Sequence, residues 1–170
     1  MSKKILLVRH GRTEEKSQGQ RDQDRSLTTE GMQNSSLMGD YLSNQGIDPE
    51  LIITSDALRA QQTANLIAEQ LKYPIQKIHI NTNIYEGSVR VMMTLINQLE
   101  DRYSSVMMVG HNPSMLYLAE YLSKAEIESL TTCGIIIIDF KIKSWKRVQE
   151  GSGSFADYIY PDLVNSINRE

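Results

Sequence analysis

The stretch Ile5-Leu6-Leu7-Val8-Arg9-His10-Gly11 decides the fold and points to a site. Its four consecutive apolar residues predict a short β-strand. An arginine, a histidine and a glycine follow at the end of that strand. In open α/β sheets, ligands bind beyond the carboxyl ends of the strands. Arg9 and His10 are therefore candidate functional residues if the rest of the chain builds such a sheet.

Further apolar runs predict four more strands, at residues 51–53, 78–80, 106–109 and 135–140. Helical patterns separate the first four strands, and the clearest covers 57–71, where small and apolar residues recur every three or four positions. Another helix is predicted over 28–42. A third carries the stripe Met92, Leu95, Ile96 and Leu99. A fourth is expected to begin with Asn112 as N-cap and Pro113 at the first helical position.

This alternation of strands and helices is typical of βαβ units. It predicts the α/β class, as a three-layer α/β/α sandwich with a mostly parallel central sheet. Residues 145–149 and 155–160 read as short strands joined by Gly151-Ser152-Gly153, and they are expected at the sheet edge, where an antiparallel strand would lie. Because no repeat or Pro-rich linker interrupts the pattern, residues 1–170 are expected to form a single domain.

Composition narrows the classes of function. The chain has 170 residues, a net charge of −3 and a pI of about 5.7, so no basic field exists to hold nucleic acid or an acidic membrane surface. Its apolar runs are too short to span a membrane. The single Cys133 has no partner for an internal disulfide, which fits a cytoplasmic protein. Any anion site must be local.

The ends of three predicted strands supply such a site. Arg9 and His10 follow the first strand, Arg59 lies shortly after the second, and His111 follows the fourth. Two arginines and two histidines would repel one another unless an anion compensates them, and arginine presents planar donors that match phosphate oxygens. The helix near Asn112 would point its amino end at the same anion. The sequence therefore predicts a phosphoryl pocket.

His10 suits the role of nucleophile in this pocket. A neutral imidazole can attack phosphorus and later release the phosphoryl group to water, if a hydrogen bond to its other nitrogen fixes the tautomer. The backbone carbonyl of Gly11 or of a neighbour could accept that bond. Fixed cationic donors around the phosphoryl oxygens would supply most of the remaining catalysis.

Arg9-His10-Gly11 resembles the RHG signature of the histidine phosphatase superfamily. Three more segments, at 27–31, 55–63 and 110–113, resemble the family's L-T-x-x-G, S-x-x-x-R-A-x-x-T and G-H-N-P motifs in order and spacing. The resemblance implies that His10 is the nucleophile and that Arg9, Arg59 and His111 bind phosphate. The short chain is most similar to SixA-type phosphohistidine phosphatases. Arg12 departs from the family, where many members carry an acidic residue, and is expected to add positive potential at the pocket mouth.

The substrate class depends on a proton donor. A phosphate ester expels a poor leaving group and needs an acid, which contributes roughly a hundredfold to ten-thousandfold, whereas the imidazole of a phosphohistidine can leave neutral. Glu86 is the acidic residue near the predicted position of such a donor, although a solvated loop carboxylate is the simpler interpretation.

Three functions therefore remain open. The first is a protein phosphohistidine phosphatase that acts on a phosphorylated protein such as a His-phosphotransfer partner. The second is a phosphomonoesterase for a small phosphorylated substrate, with Glu86 as general acid. The third is a phosphate-binding module without turnover. We expect no cofactor and no metal, because the three histidines lack short ligand spacing, and we interpret Asp22 and Asp24 as plain loop residues.

Overall fold

The computed structural model describes residues 2–170 and contains a mixed six-stranded sheet. Its spatial order is β3-β2-β4-β1-β5-β6. Strands β1 to β4 pair in parallel, while β5 pairs antiparallel with β1 and β6 pairs antiparallel with β5. The predicted α/β class, with its antiparallel strand at the edge, is therefore confirmed. The strands are Lys3–Arg9 (β1), Leu51–Thr54 (β2), His79–Ile80 (β3), Ser105–Gly110 (β4), Ile135–Phe140 (β5) and Gly153–Ile159 (β6).

Five helices cover the two faces of the sheet, which gives the three predicted layers. On one face, residues such as Met38, Ile67 and Val164 pack in a single apolar cluster, and on the other Met92 and Leu118 do so. Thr29–Asn44 (α1), Leu58–Leu71 (α2) and Pro161–Asn168 (α5) lie on the first face, and Val89–Asn97 (α3) and Ser114–Ser123 (α4) lie on the second.

The centre of strand β1, Ile5 to Val8, is apolar without interruption because both of its faces are covered. Ile5 and Leu7 belong to the cluster of α3 and α4, while Leu6 and Val8 belong to the cluster of α1, α2 and α5. All four side chains are fully buried. Such a strand reads as a continuous apolar run, without the alternation of a half-exposed strand.

Two local predictions are wrong. Residues 145–149 do not form a strand, because Trp145 begins a 3₁₀ helix, Trp145–Arg147, and buries its indole against Phe140 while its Nε1 donates to the carbonyl of Tyr103. Asn112 does not cap α4, because its side-chain amide donates to the carbonyl of Leu130 at 3.0 Å. Pro113 occupies the cap position, and the helix begins one residue later than predicted.

Within the described part of the chain, no helix combines the length and the apolar character that crossing a membrane requires.

Candidate active site

The candidate site lies at the carboxyl ends of three parallel strands. His10 directly follows β1, Ser55 follows β2 and His111 follows β4. Backbone hydrogen bonds join these ends, from His10 to Gly110 at 3.1 Å and from Ser55 to Val109 at 3.0 Å. The imidazole rings of His10 and His111 consequently lie with their centroids 5.1 Å apart. The structure thus brings together two histidines that lie 101 positions apart in the sequence.

The tautomer of His10 is set by the backbone. Its Nδ1 lies 2.7 Å from the carbonyl oxygen of Gly11, which can only accept, so Nδ1 carries the proton and Nε2 keeps a lone pair. Nε2 accepts from Nε of Arg59 at 3.3 Å. Burial, together with the charges of nearby arginines, lowers the pKa of His10 to about 4, although the bond to Gly11 acts in the opposite direction. The ring is therefore neutral at physiological pH.

Two of the other segments that resemble family motifs, 27–31 and 55–63, support the loop that carries His10. The backbone N–H of Gly11 donates to the hydroxyl of Thr63 at 3.0 Å, and a Cβ on Gly11 would lie 3.0 Å from both Cys133 Sγ and the carbonyl oxygen of Gly31. A Cβ on Gly31 would lie 2.3 Å from the carbonyl oxygen of Arg12. The glycines of these motifs therefore allow the loop and helix α1 to approach closely.

His111 presents one nitrogen to the site. Its Nε2 is bonded to the hydroxyl of Ser55 at 2.8 Å, and that hydroxyl already accepts from the backbone N–H of Ala57. The hydroxyl keeps its own proton to donate to Nε2, and in that tautomer the proton of the neutral His111 ring is on Nδ1. Nδ1 is buried and finds no hydrogen-bond partner among the described residues. Burial, followed by the charges of His10 and Arg59, lowers the pKa of His111 to about 3.

Arg9 is anchored at one end. Its Nη1 donates to the carbonyl of Leu130 at 3.0 Å, while its buried Nε has no partner in residues 2–170. Burial lowers the pKa of Arg9 from its ordinary value. Its charge contributes to the lowered pKa of His10, so it stands close enough to act on that ring.

Arg59 is held more firmly, by a residue that sequence reasoning missed. Its Nη1 donates to the backbone carbonyl of Asp22 at 2.8 Å and its Nη2 to the carboxylate of Asp22 at 2.9 Å. Asp22 was expected to be a plain loop residue, but the 3₁₀ helix Asp22–Asp24 carries it to the site. Arg59 itself could have indicated such a residue. A buried guanidinium requires hydrogen-bond acceptors, and the residues of the motifs do not supply them.

Tyr85 is a second missed residue. Its hydroxyl donates to the carboxylate of Asp22, and the edge of its ring meets the ring of His111 with centroids 5.4 Å apart. The guanidinium of Arg59 lies 5.8 Å from the same ring. Burial, followed by the contact with Asp22, raises the pKa of Tyr85, so its hydroxyl keeps its proton.

The remaining predicted residues lie outside this cluster of contacts. Arg12 is exposed and pairs with Glu30 at 3.0 Å, which offsets the positive potential expected from it. Glu86 is exposed and lines a polar cavity of about 770 Å³ beside Tyr85 and Asp56. Within residues 2–170, no group of three or more His, Cys, Asp or Glu side chains is arranged to hold a metal ion.

A neutral imidazole whose Nε2 is unprotonated, a second imidazole and two arginines at the carboxyl edge of an α/β sheet are the arrangement of a histidine-nucleophile phosphatase. The sequence supports the same conclusion, because residues 5–88 match the family model of the histidine phosphatase superfamily, branch 1. The chain belongs to the histidine phosphatase superfamily.

Similar proteins include SixA-type members of this superfamily. Phosphohistidine phosphatase SixA of Escherichia coli strain K12 is 27% identical over 133 residues, which are 78% of this chain and 81% of the relative. An uncharacterized chloroplastic protein of Arabidopsis thaliana is 27% identical over 161 residues, 90% of this chain and 73% of the relative. A solved structure of the protein histidine phosphatase SixA complexed with tungstate superposes with a TM-score of 0.82 at 25% identity, covering 95% of this chain and 99% of the other.

Proposed function

We propose that this phosphatase hydrolyses protein phosphohistidine through a covalent phosphohistidine on its own His10. The observation that carries the proposal is the fixed tautomer of His10, with Nδ1–H bonded to Gly11 and the Nε2 lone pair beside Arg59. A nucleophilic imidazole needs this arrangement, because the attacking nitrogen must be unprotonated and aimed at the phosphorus. The lowered pKa of about 4 keeps that nitrogen available at neutral pH.

The reaction proceeds in two displacements. In the first, the Nε2 lone pair of His10 forms a bond to phosphorus while the bond from phosphorus to the substrate nitrogen breaks. The electron pair of that bond leaves with the substrate ring, whose other nitrogen carries a proton, so that a neutral imidazole departs. In the second, water attacks the phosphorus and gives up a proton to solvent, while the electron pair of the P–N bond returns to Nε2 of His10 and inorganic phosphate is released. Arg9, Arg59 and Nδ1–H of His111 bind the phosphoryl oxygens, where charge develops in both transition states.

The phosphohistidine substrate class follows from the leaving group. An imidazole departs neutral and needs little help from an acid. The carboxylate of Asp22 is bonded to Arg59 and to the hydroxyl of Tyr85, and its pKa lies well below the ordinary value, chiefly because of the bond from Tyr85. Asp22 is therefore ionised and cannot serve as the acid. Similarity to phosphohistidine phosphatase SixA supports the same class, with a phosphorylated protein as partner.

A small-molecule phosphomonoesterase is the second candidate. The observation in its favour is that Glu86 lines a cavity of about 770 Å³ that also includes Tyr85, so a leaving group there would meet a carboxyl. In this case Glu86 would protonate the ester oxygen. Replacement Glu86→Gln would then lower ester turnover by about a hundredfold or more and leave phosphohistidine turnover unchanged.

The test is rapid-quench labelling. The enzyme is mixed with a histidine-phosphorylated, ³²P-labelled phosphotransfer protein, and acid-labile label on the enzyme is followed in wild type, His10→Asn and His79→Asn. His79 is an exposed strand residue and serves as the matched control. We expect label on wild type and on the His79 variant and none on the His10 variant.

Substrate preference is read from kcat/KM for the phosphoprotein and for p-nitrophenyl phosphate. A preference for the ester that disappears in Glu86→Gln would replace the first candidate by the second. Phosphate binding without any label on His10 would identify a binding module instead.

We further propose that residues 1–170 act as one domain in the cytoplasm, which the single Cys133 and the shared sheet support.

A further inference from the structure

The carboxylate of Asp22 accepts hydrogen bonds from three side chains around the site. One carboxylate oxygen accepts from Nη2 of Arg59 at 2.9 Å and from the hydroxyl of Tyr85. The other accepts from Nη1 of Arg25 at 3.1 Å, and Arg25 is in turn bonded to Thr13 at 2.9 Å. Through these bonds the 3₁₀ helix Asp22–Asp24 is tied to α2, to the loop before α3 and to the loop after β1.

The contacts with Asp22 decide which edge of Arg59 faces the reaction. A guanidinium is planar and offers five N–H donors in a fixed fork. Asp22 occupies donors on both terminal nitrogens of Arg59 with its backbone and carboxylate oxygens. Nε is thereby left facing Nε2 of His10 at 3.3 Å. The side chain of Arg59 is only 9% exposed, whereas that of Asp22 is 39% exposed, so water is largely kept from the guanidinium but reaches the carboxylate.

We propose that Asp22 is a positioning residue, which fixes Arg59 so that its Nε–Nη2 edge meets the phosphoryl group transferred to His10. The inference rests on the proposed function, because it takes Arg59 as a phosphate ligand. Asp22 does not touch the phosphoryl group itself. Its effect passes through Arg59, and it contributes to the rate by holding that side chain in place before the substrate arrives.

Tyr85 is the second arm of this arrangement. Its hydroxyl binds Asp22, while its ring lies against both Arg59 and His111, at centroid distances of 5.8 and 5.4 Å. One carboxylate therefore sets the orientation of Arg59 directly and restrains the ring that packs on His111. Removing the hydroxyl of Tyr85 should weaken the same function by a smaller amount, because Asp22 keeps its bonds to Arg59 and Arg25.

A competing role for Asp22 makes the opposite prediction. If its carboxylate merely occupied Arg59 until phosphate displaced it, removal of the charge would strengthen anion binding. If its role were only structural, removal would lower the melting temperature and leave the kinetic constants of the folded enzyme unchanged. Anion affinity and kcat together therefore separate the three roles.

The experiment compares Asp22→Asn with Asp24→Asn. Asp24 lies in the same 3₁₀ helix, and its carboxylate pairs with Arg21, which is 73% exposed. We measure kcat and KM for phosphoprotein dephosphorylation, the dissociation constant for tungstate, and the melting temperature. We expect Asp22→Asn to lower kcat by about a hundredfold and to weaken tungstate binding by about tenfold, while Asp24→Asn stays within about twofold of wild type.

Tighter tungstate binding in Asp22→Asn, or unchanged kcat in a folded enzyme, would overturn the inference. If Asp22→Asn does not fold, the inference is tested with Tyr85→Phe, for which we expect kcat to fall by about tenfold. Where both fold, the double variant should lose no more than Asp22→Asn alone, because Tyr85 acts through Asp22. Losses of kcat that add fully in the double variant would show that Tyr85 does not act through Asp22.

Tungstate affinity gives a readout that a purely structural role would not change, because only a residue that acts through Arg59 alters anion binding in the folded enzyme. If His10 of the wild type never acquires the phosphoryl label, the proposed function fails. If the wild type is labelled but Asp22→Asn has the kcat and tungstate affinity of wild type, only the inference about Asp22 fails.

Discussion

Arg9 and Arg59 are predicted to bind the same phosphoryl group, but the fold holds them in different ways. Arg59 donates to a carboxylate, a backbone carbonyl and an imidazole. Arg9 donates to the single carbonyl of Leu130 and keeps a buried Nε without a partner in the described chain. The difference teaches that Arg59 is positioned before a ligand arrives, whereas Arg9 has unused donors that a ligand would satisfy.

The largest effect is expected from replacing the guanidinium of Arg59, which donates to Asp22 and to His10 at the same time. Arg59→Lys keeps the charge but cannot donate to Asp22 and the phosphoryl group at once, so we expect kcat/KM for the phosphoprotein to fall by about a hundredfold to a thousandfold. Arg9→Lys, the matched change, should cost about tenfold, because a lysine can still reach the carbonyl of Leu130 and one phosphoryl oxygen. Equal losses in the two variants would remove the distinction between the arginines.

Acidification should destabilise the free enzyme through its two site histidines. Their pKa values are lowered to about 4 and about 3, so the unfolded chain binds more protons than the folded one once the pH falls below the unfolded value of roughly 6.5. Stability is then complete above about pH 6.5 and is lost as the pH approaches 4. We expect a loss on the order of a few kcal/mol, measured by urea unfolding at pH 7 and pH 4.5.

The control for this pH dependence is His111→Asn. The variant removes one of the two buried titrating rings, so its unfolding free energy should fall less between the two pH values than that of wild type. His79→Asn, which replaces an exposed ring, should follow wild type. A pH dependence that is identical in wild type and His111→Asn would show that these rings do not cause the loss.

The two arginines should also differ in their effects on the histidine pKa values. The charges of both lower the pKa of His10, but only that of Arg59 is among the causes that lower the pKa of His111. Arg59→Gln should therefore raise both pKa values, and Arg9→Gln should raise that of His10 without raising that of His111. Titration of the imidazole carbons by NMR measures this, and a raised pKa of His111 in Arg9→Gln would contradict it.

The smallest effect is expected from the anchor of Arg9. The side chain of Asn112 donates to the same carbonyl of Leu130 that Arg9 contacts. Asn112→Ala should loosen that loop by about one hydrogen bond, roughly 1 kcal/mol, and raise KM by a few fold with kcat nearly unchanged. Asn83→Ala, on an exposed loop away from Leu130, provides the comparison. A large fall in kcat for Asn112→Ala would assign that side chain a more direct role.

The parts of the site that could be predicted are those attached to strand ends. His10, Ser55 and His111 follow apolar runs that had to be buried strands, and parallel strands place their carboxyl ends on one edge. The strands were predicted almost in full for the same reason. Trp145 was misread because two polar residues between apolar Trp145 and Val148 also fit a 3₁₀ turn, and only burial of the indole selects that turn.

The sequence by itself determined the class of fold and the positions of two imidazoles and two guanidinium groups, because these depend on local periodicity and on strand order. Only the tertiary structure decided how those groups are held. Asp22 and Tyr85 lie on segments without regular periodicity, 37 and 26 positions from Arg59 in opposite directions along the chain. The contacts of Asp22 and Tyr85 with Arg59 depend on how the loops fold over the edge of the sheet. The buried guanidinium binds whichever acceptors lie near it in space, wherever they stand in the sequence.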